Sequence, residues 1–235
     1  RFSALISWGY ALYCLALPHT PPKQEGVERL AFAKAFRLLR EPSFAVLVAA
    51  SLPISVIHQV YFLQTPPFFS HLGLLDSQIG PAMTIGQFSE IIIMALLGIL
   101  LVRLGLRTVI TIGALAYFAR YLIWSYPSLP VGVLVGSQFL HGICYACFFA
   151  GAFIYTDRVA PPDVRHSAQT VFGILILGGG PVLGGLLSGW LADTYARTGG
   201  QIDYGALWRV VALIGLGAAI FFWAFFRERK APAAV

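Results

Sequence analysis

Apolar residues gather into seven long runs along the chain, at 2–17, 44–63, 80–102, 108–124, 130–155, 168–192 and 207–226, with polar stretches between them. A helix needs roughly 20 apolar residues to cross a bilayer, and the runs are of that order. None alternates polar and apolar residues as a barrel strand does, and backbone in lipid must satisfy its hydrogen bonds within its own segment. The pattern therefore predicts helical spans, the last six forming one block over 44–226. Composition agrees: 58% of the 235 residues are hydrophobic and 11% charged, with a mean hydropathy of +0.77, where soluble domains carry roughly 25% charged residues. A water-soluble globular domain is excluded, and the predicted class is an all-α polytopic membrane protein. The chain starts at Arg1, already inside an apolar run and without Met, which predicts a piece of a longer protein.

Charge adds a direction. Alternate connections hold Lys23, Arg29, Lys34, Arg37, Arg40, Arg103, Arg107, Arg158, Arg165, Arg227, Arg229 and Lys230, whereas the other set holds Arg197, with Arg209 at the mouth of the last span. Because Lys and Arg collect on the cytoplasmic side of short loops, residues 18–43 and the tail 227–235 are predicted to be cytoplasmic. Within 18–43, the turn-forming PHTPPKQEG leads into VERLAFAKAFRLLRE, which predicts an amphipathic helix on the membrane surface with Lys34, Arg37 and Arg40 toward anionic headgroups.

Polar residues inside the spans carry the candidate chemistry. An ionisable group at the centre of a membrane helix costs on the order of 3 kcal/mol and normally faces a cavity or a partner. Two such charges occur, Glu90 and Arg120, with His58, His141, Gln59, Gln87 and Gln138 also inside spans. At 1.5 Å per residue from the inner ends, Glu90, Arg120, His141, Gln59 and Gln87 fall in one layer roughly 18–23 Å deep. Gln87 with Glu90, Gln59 with Phe62, and His141 with Tyr145 are three or four apart and share helix faces. Amides and a carboxylate bind several hydroxyl, N–H or carbonyl groups, while Phe62 and Tyr145 offer flat apolar surface for a ring. The layer thus predicts a site for a small, neutral, polar ring compound, with Glu90 able to carry a proton and Arg120 either pairing with it or contacting the ligand. His58 and Gln138 read as packing residues.

Other signals point to packing. His141, Cys144 and Cys147 stand at i, i+3 and i+6, but metal sites need further ligands, and no other Cys or paired His is near in sequence. No metal or cofactor is expected. The glycines of GILILGGGPVLGGLLSGWLAD lack the lysine of a phosphate loop; Gly180 with Gly184 and Gly185 with Gly189 read as small faces for close helix packing, and Pro181, like Pro53, as a bend. Ser55, Ser89 and Ser188 have no convincing base, so an enzyme is not expected.

The connection GILLVRLGLR, from Gly98 to Arg107, resembles the G-x-x-x-D-R-x-G-R-R loop of the major facilitator superfamily. Gly98, Arg103, Gly105 and Arg107 match in register, with Val102 and Leu106 replacing the Asp and one Arg. The resemblance implies that this loop fastens helices at the cytoplasmic face and takes part in gating. Within the superfamily, residues 44–226 resemble the nucleoside:proton symporters. QFSE places Gln87 and Glu90 on a Gln-x-x-Glu pair of the eighth helix. LHGICYACFFAGAFIYTD, residues 140–157, aligns with the tenth, setting His141 and Tyr145 at two aromatic pocket positions. Gln59 matches a seventh-helix glutamine, Phe62 stands where some members carry an amide, and RHSAQ resembles the entry to the eleventh helix.

This resemblance implies the six-helix C-terminal bundle of an alternating-access transporter in the plasma membrane, the inner membrane of a bacterium. Residues 1–17 would end the last helix of an N-terminal bundle and 18–43 would link the two. Gln59, Phe62, Gln87, Glu90, His141 and Tyr145 would bind the nucleoside, and Glu90, Arg120 and His141 would serve proton coupling. The implied partners are nucleoside, proton, lipid bilayer and N-terminal bundle, with no nucleic acid. Glu90, Arg120 and His141 also resemble the Glu, Arg and His of oligosaccharide:proton symporters, although Cys144 replaces the acidic residue those carry three after the histidine. A sugar symporter and a non-transporting sensor on the same bundle are the alternatives.

Overall fold

The computed structural model describes residues 2–18, 36–162, 164–197 and 200–228. Helices α1 (Phe2–Leu15), α2 (Pro42–His71), α3 (Asp76–Leu104), α4 (Leu106–Trp124), α5 (Val131–Val159), α6 (Arg165–Thr194) and α7 (Tyr204–Phe225) follow the seven predicted runs. The last six are long and apolar enough to cross a membrane. Several outrun the apolar stretches that announced them, α2 by continuing through Gln64–His71 with Pro66 and Pro67 inside it. Polar residues past the hydrocarbon edge can still propagate a helix, which hydropathy does not register. Most of the expected linker helix, including Lys34, lies outside the described residues, as does the tail from residue 229 onward.

Short connections make neighbouring helices antiparallel. One end of the bundle gathers Arg103, Arg107, Arg158, Arg165 and Arg227; the other carries residues 195–197 and 200–203. The chain turns from α3 into α4 on the single residue Gly105, whose φ of +76° suits glycine and few others. Next to it, Arg107 donates from Nη2 to the Trp223 carbonyl and lays its guanidinium 4.3 Å over the Trp223 ring, clamping the start of α4 to the end of α7. At the opposite end Asp203 caps α7, accepting from the Ala206 N–H at 3.0 Å and from Arg197 Nη2 at 2.5 Å.

Inside the bundle, α7 packs on α4 and α2, α6 on α2, and α5 on α3 and α4. Small residues let these backbones meet. A Cβ on Gly142 of α5 would collide with Ser89 and the Glu90 amide nitrogen of α3, and one on Gly113 of α4 would lie 2.5 Å from the Phe148 nitrogen of α5. Of the predicted glycine faces on α6, Gly180 and Gly184 do pack, against Ser55 and Gln59 of α2, while Gly185 and Gly189 meet nothing. The expected bend at Pro181 takes the form of a widened, π-helical stretch at Ile174–Gly179, immediately before it. The proline ring and its missing N–H disturb the preceding turn, and the Ser55 hydroxyl donates to the Ile176 carbonyl there at 2.5 Å.

Burial is uneven. The most apolar windows of α2, α4, α5 and α7 are 44–56% buried, those of α3 and α6 only 17% and 28%. Helix α1 is apolar yet unpacked, every described side chain from Ser3 to Pro18 being exposed.

Candidate functional site

The site grows from an aromatic stripe on α4. Tyr117, Arg120, Tyr121 and Trp124 recur at the spacing of one helix face, and all four are fully buried. Arg120 lies in a cage of rings, its guanidinium carbon 4.3 Å from the Tyr61 centroid, 4.8 Å from Tyr121, 5.5 Å from Trp124 and 5.7 Å from Tyr117. Such contacts favour a desolvated cation. Nη1 donates to His141 Nδ1 at 2.7 Å and Nη2 to the Tyr121 hydroxyl at 2.8 Å, which in turn donates to the Ile57 carbonyl at 3.1 Å.

One layer further in stands His58 of α2, half-buried, its Nδ1 2.8 Å from the Tyr117 hydroxyl. Its ring stacks on that of His141, 5.5 Å away at 19°, and touches those of Phe62 at 5.0 Å, Tyr145 at 6.0 Å and Phe149 at 5.3 Å. Helix α5 is π-helical over Cys144–Ala150, which turns His141, Tyr145 and Phe149, each four residues from the next, toward this one ring. Gln138, fully buried, donates to the Tyr61 hydroxyl at 3.3 Å and so belongs to the packing, as expected.

The open side of the layer belongs to α3. Gly86 brings that helix against His141, since a Cβ there would lie 3.0 Å from the His141 Cβ. One and four residues on, Gln87 is exposed and Glu90 half-buried, with Glu90 in electrostatic range of the Tyr145 phenol. Phe62, 42% exposed, and half-buried Tyr145 complete an apolar rim.

The predicted residues therefore converge in part. Phe62, His141 and Tyr145 come together around His58, and Glu90 stands near Tyr145 and Gly142 on α3, while Gln87, next to Gly86 in sequence, is exposed. Gln59 is next to His58 in sequence but turns its Cβ toward Gly184 of α6, at the flank of the layer. Arg120 pairs with His141 and Tyr121, and among the described residues no ion pair joins it to Glu90. The pairing considered from sequence is replaced because the α4 face that buries Arg120 looks at α2 and α5, away from the open side of α3. His58, read as packing, packs at the hub of the ring cluster, which also holds Tyr61, Tyr117 and, beyond them, Tyr121, none of which the sequence reading singles out. The stripe of aromatic residues flanking a membrane arginine was their available signal. Cys144 and Cys147 are buried free thiols within packed clusters. Of the loop residues, Gly105 and Arg107 make the turn and clamp, while Arg103 is exposed and a Cβ on Gly98 would meet nothing.

Comparison with known proteins agrees with this architecture. The family described as "Nucleoside H+ symporter" matches residues 2–231. A putative nucleoside transporter of Escherichia coli, YegT, is 28% identical over 92% of this chain and 53% of its own length; the nucleoside permease NupG of the same organism is 28% identical over 96% and 57%. The crystal structure of a NupG mutant superposes with a TM-score of 0.76 and 25% identity, over 96% of this chain and 60% of that one. The chain thus spans little more than half the length of these relatives, and the match lies in their C-terminal part. Six packed membrane-length helices, the family match and the superposition together establish that this chain belongs to the nucleoside H+ symporter family of the major facilitator superfamily and has the six-helix C-terminal bundle of that fold.

Proposed function

We propose that this integral membrane chain supplies one half of a proton-coupled nucleoside transporter that works by alternating access. The observation that carries the reading is the layer around His58, where Phe62 and Tyr145 offer flat surface beside the Gln87–Glu90 edge of α3, with His141, 1% exposed, directly behind them. The base would lie on the Phe62 and Tyr145 rings, with Gln59, Gln87, Glu90 and His141 meeting its polar groups and the ribose hydroxyls. Glu90 is the coupling carboxylate, because among the described residues it is an unpaired acid beside the open edge. Arg120 holds His141 and takes no proton itself.

Residues 1–17 end the last helix of a preceding bundle, 18–43 link the two, and 44–226 form the half described above. The wholly exposed α1, an apolar helix that its own bundle does not cover, supports this division. The basic end of the bundle faces the cytoplasm by the positive-inside rule, with the C-terminus on that side, in the inner membrane of a bacterium. There Gly98, Arg103, Gly105 and Arg107 serve gating, Arg107 through its clamp on Trp223. Protonation of Glu90 alters which of two bundle arrangements is favoured, drawing on roughly 2.3 kcal/mol per charge per 100 mV of membrane potential.

The test is uptake of radiolabelled uridine and adenosine by cells expressing the transporter that contains this chain, with and without a protonophore and with unlabelled sugars as competitors. Protonophore-sensitive uptake that sugars leave unchanged is expected. Glu90→Gln should abolish accumulation while leaving counterflow exchange; accumulation against a gradient by that variant would remove Glu90 from the coupling role.

A further inference from the structure

The geometry around Arg120 decides which way round His141 can form a hydrogen bond. A guanidinium has donors and no acceptor, and it stays protonated in proteins. Arg120 Nη1 lies 2.7 Å from His141 Nδ1, so Nδ1 must accept. The ring proton of a neutral imidazole is then on Nε2. A doubly protonated ring would put two cations in contact where water is excluded.

The lock is itself held in place. Arg120 cannot swing away, being 0% exposed inside four rings and tied to Ile57 through Tyr121. His141 cannot turn over easily, since its ring stacks on His58 at 5.5 Å, tilts against Tyr61 at 4.9 Å, and has its Cβ against Gly86. His141 is 1% exposed, and among the described residues no hydrogen bond reaches its Nε2.

We propose that His141 is a fixed donor, through Nε2–H, to an acceptor atom of the substrate, and that Arg120 is the positioning residue that forbids the opposite polarity. Toward the substrate the histidine–arginine pair only donates. The ligand class is narrowed accordingly. The transported nucleoside carries a hydroxyl, carbonyl or ring-nitrogen acceptor at this point, and an analogue offering only a donor there is rejected. This rests on the nucleoside reading above.

The test uses the whole transporter in proteoliposomes, with competition of labelled-uridine counterflow by uridine analogues that each lack one acceptor, and by aminodeoxy analogues assayed where the amine is protonated. One acceptor deletion should weaken competition about fivefold to tenfold in the wild type, the worth of one neutral hydrogen bond. The same deletion should cost nothing in His141→Phe. The matching ammonium analogue should be discriminated against at least as strongly by the wild type. That discrimination should collapse in Arg120→Met, where the imidazole is free to present an acceptor, and in His141→Phe, which presents no donor and tests the same point should Arg120→Met not fold. Equal analogue costs in wild type and His141→Phe, or undiminished rejection of the ammonium in a folded Arg120→Met or in His141→Phe, would overturn the proposal. Absence of any nucleoside counterflow by the wild type would instead overturn the functional reading beneath it.

Discussion

The enclosed side of the site and its open side treat charge in opposite ways. On the enclosed side, Arg120 is a permanent cation with no carboxylate partner among the described residues, held by four aromatic rings, an imidazole nitrogen and a tyrosine hydroxyl. On the open side, Glu90 is an acid with no ion pair among the described residues, on the least buried of the spans. A group whose charge never changes can be packed as tightly as a core residue, and its neighbours can depend on it. A group that must gain and lose a proton has to stay reachable, and its neighbours cannot be built on either state. The contrast assigns rigidity to α2, α4 and α5, and change to the edge of α3.

Four substitutions break or sharpen that contrast. The largest effect is expected at Gly142, where both sides meet. Gly142→Leu drives a side chain into Ser89 and the backbone of Glu90, overpacking that costs about 3 kcal/mol or more and should remove monodisperse protein in detergent size-exclusion chromatography. Next is Arg120→Met, which leaves His141 Nδ1 and the Tyr121 hydroxyl without a buried donor; a loss of about 2 kcal/mol, read as a lowered melting temperature, is expected. An unchanged melting temperature would make the cage incidental.

Asp203, outside the membrane-spanning helices and outside both regions, is a control. The Arg197 guanidinium, and then the Ala206 amide, hold its carboxyl below its ordinary value of 3.8. The native state therefore favours the ionised form. The stability this gives is present above the ordinary value and is lost as pH falls through the lower native one. Asp203→Ala should cost about 1 kcal/mol at neutral pH, as for loss of a helix cap, and the difference from wild type should shrink in acid. The smallest stability effect belongs to Glu90→Gln, within about 0.5 kcal/mol, although this is the change expected to abolish accumulation. A large drop in melting temperature there would mean that Glu90 is built into the structure after all.

Much of the fold was legible because membrane helices announce themselves one segment at a time. Each span buries its own backbone, so length and hydropathy suffice to find it, and loop charge marks the basic end of the bundle. The motif around Gly105 was equally local, since a positive φ demands glycine wherever it occurs. Site membership was legible only in part. Depth along a helix follows from counting, and Glu90, Arg120 and His141 do belong to neighbouring layers. Azimuth between helices does not follow from counting, which is why the sequence allows a pairing of Arg120 with Glu90 and does not show that Gln59 turns its Cβ toward Gly184. The π-helical stretches at Cys144–Ala150 and Ile174–Gly179 shift the helical phase part-way along α5 and α6, so a face drawn with one period for the whole span goes astray.

By itself, then, the sequence determined a membrane bundle of helices, its basic end, and the set of polar residues at mid-depth, because those properties reside in single segments or short motifs. Only the tertiary structure decided who partners whom: Arg120 with His141, His58 at the hub, Glu90 left at the open edge. Those pairings depend on how glycine contacts set the distance and rotation between helices, and that is a property of surfaces brought together by the fold.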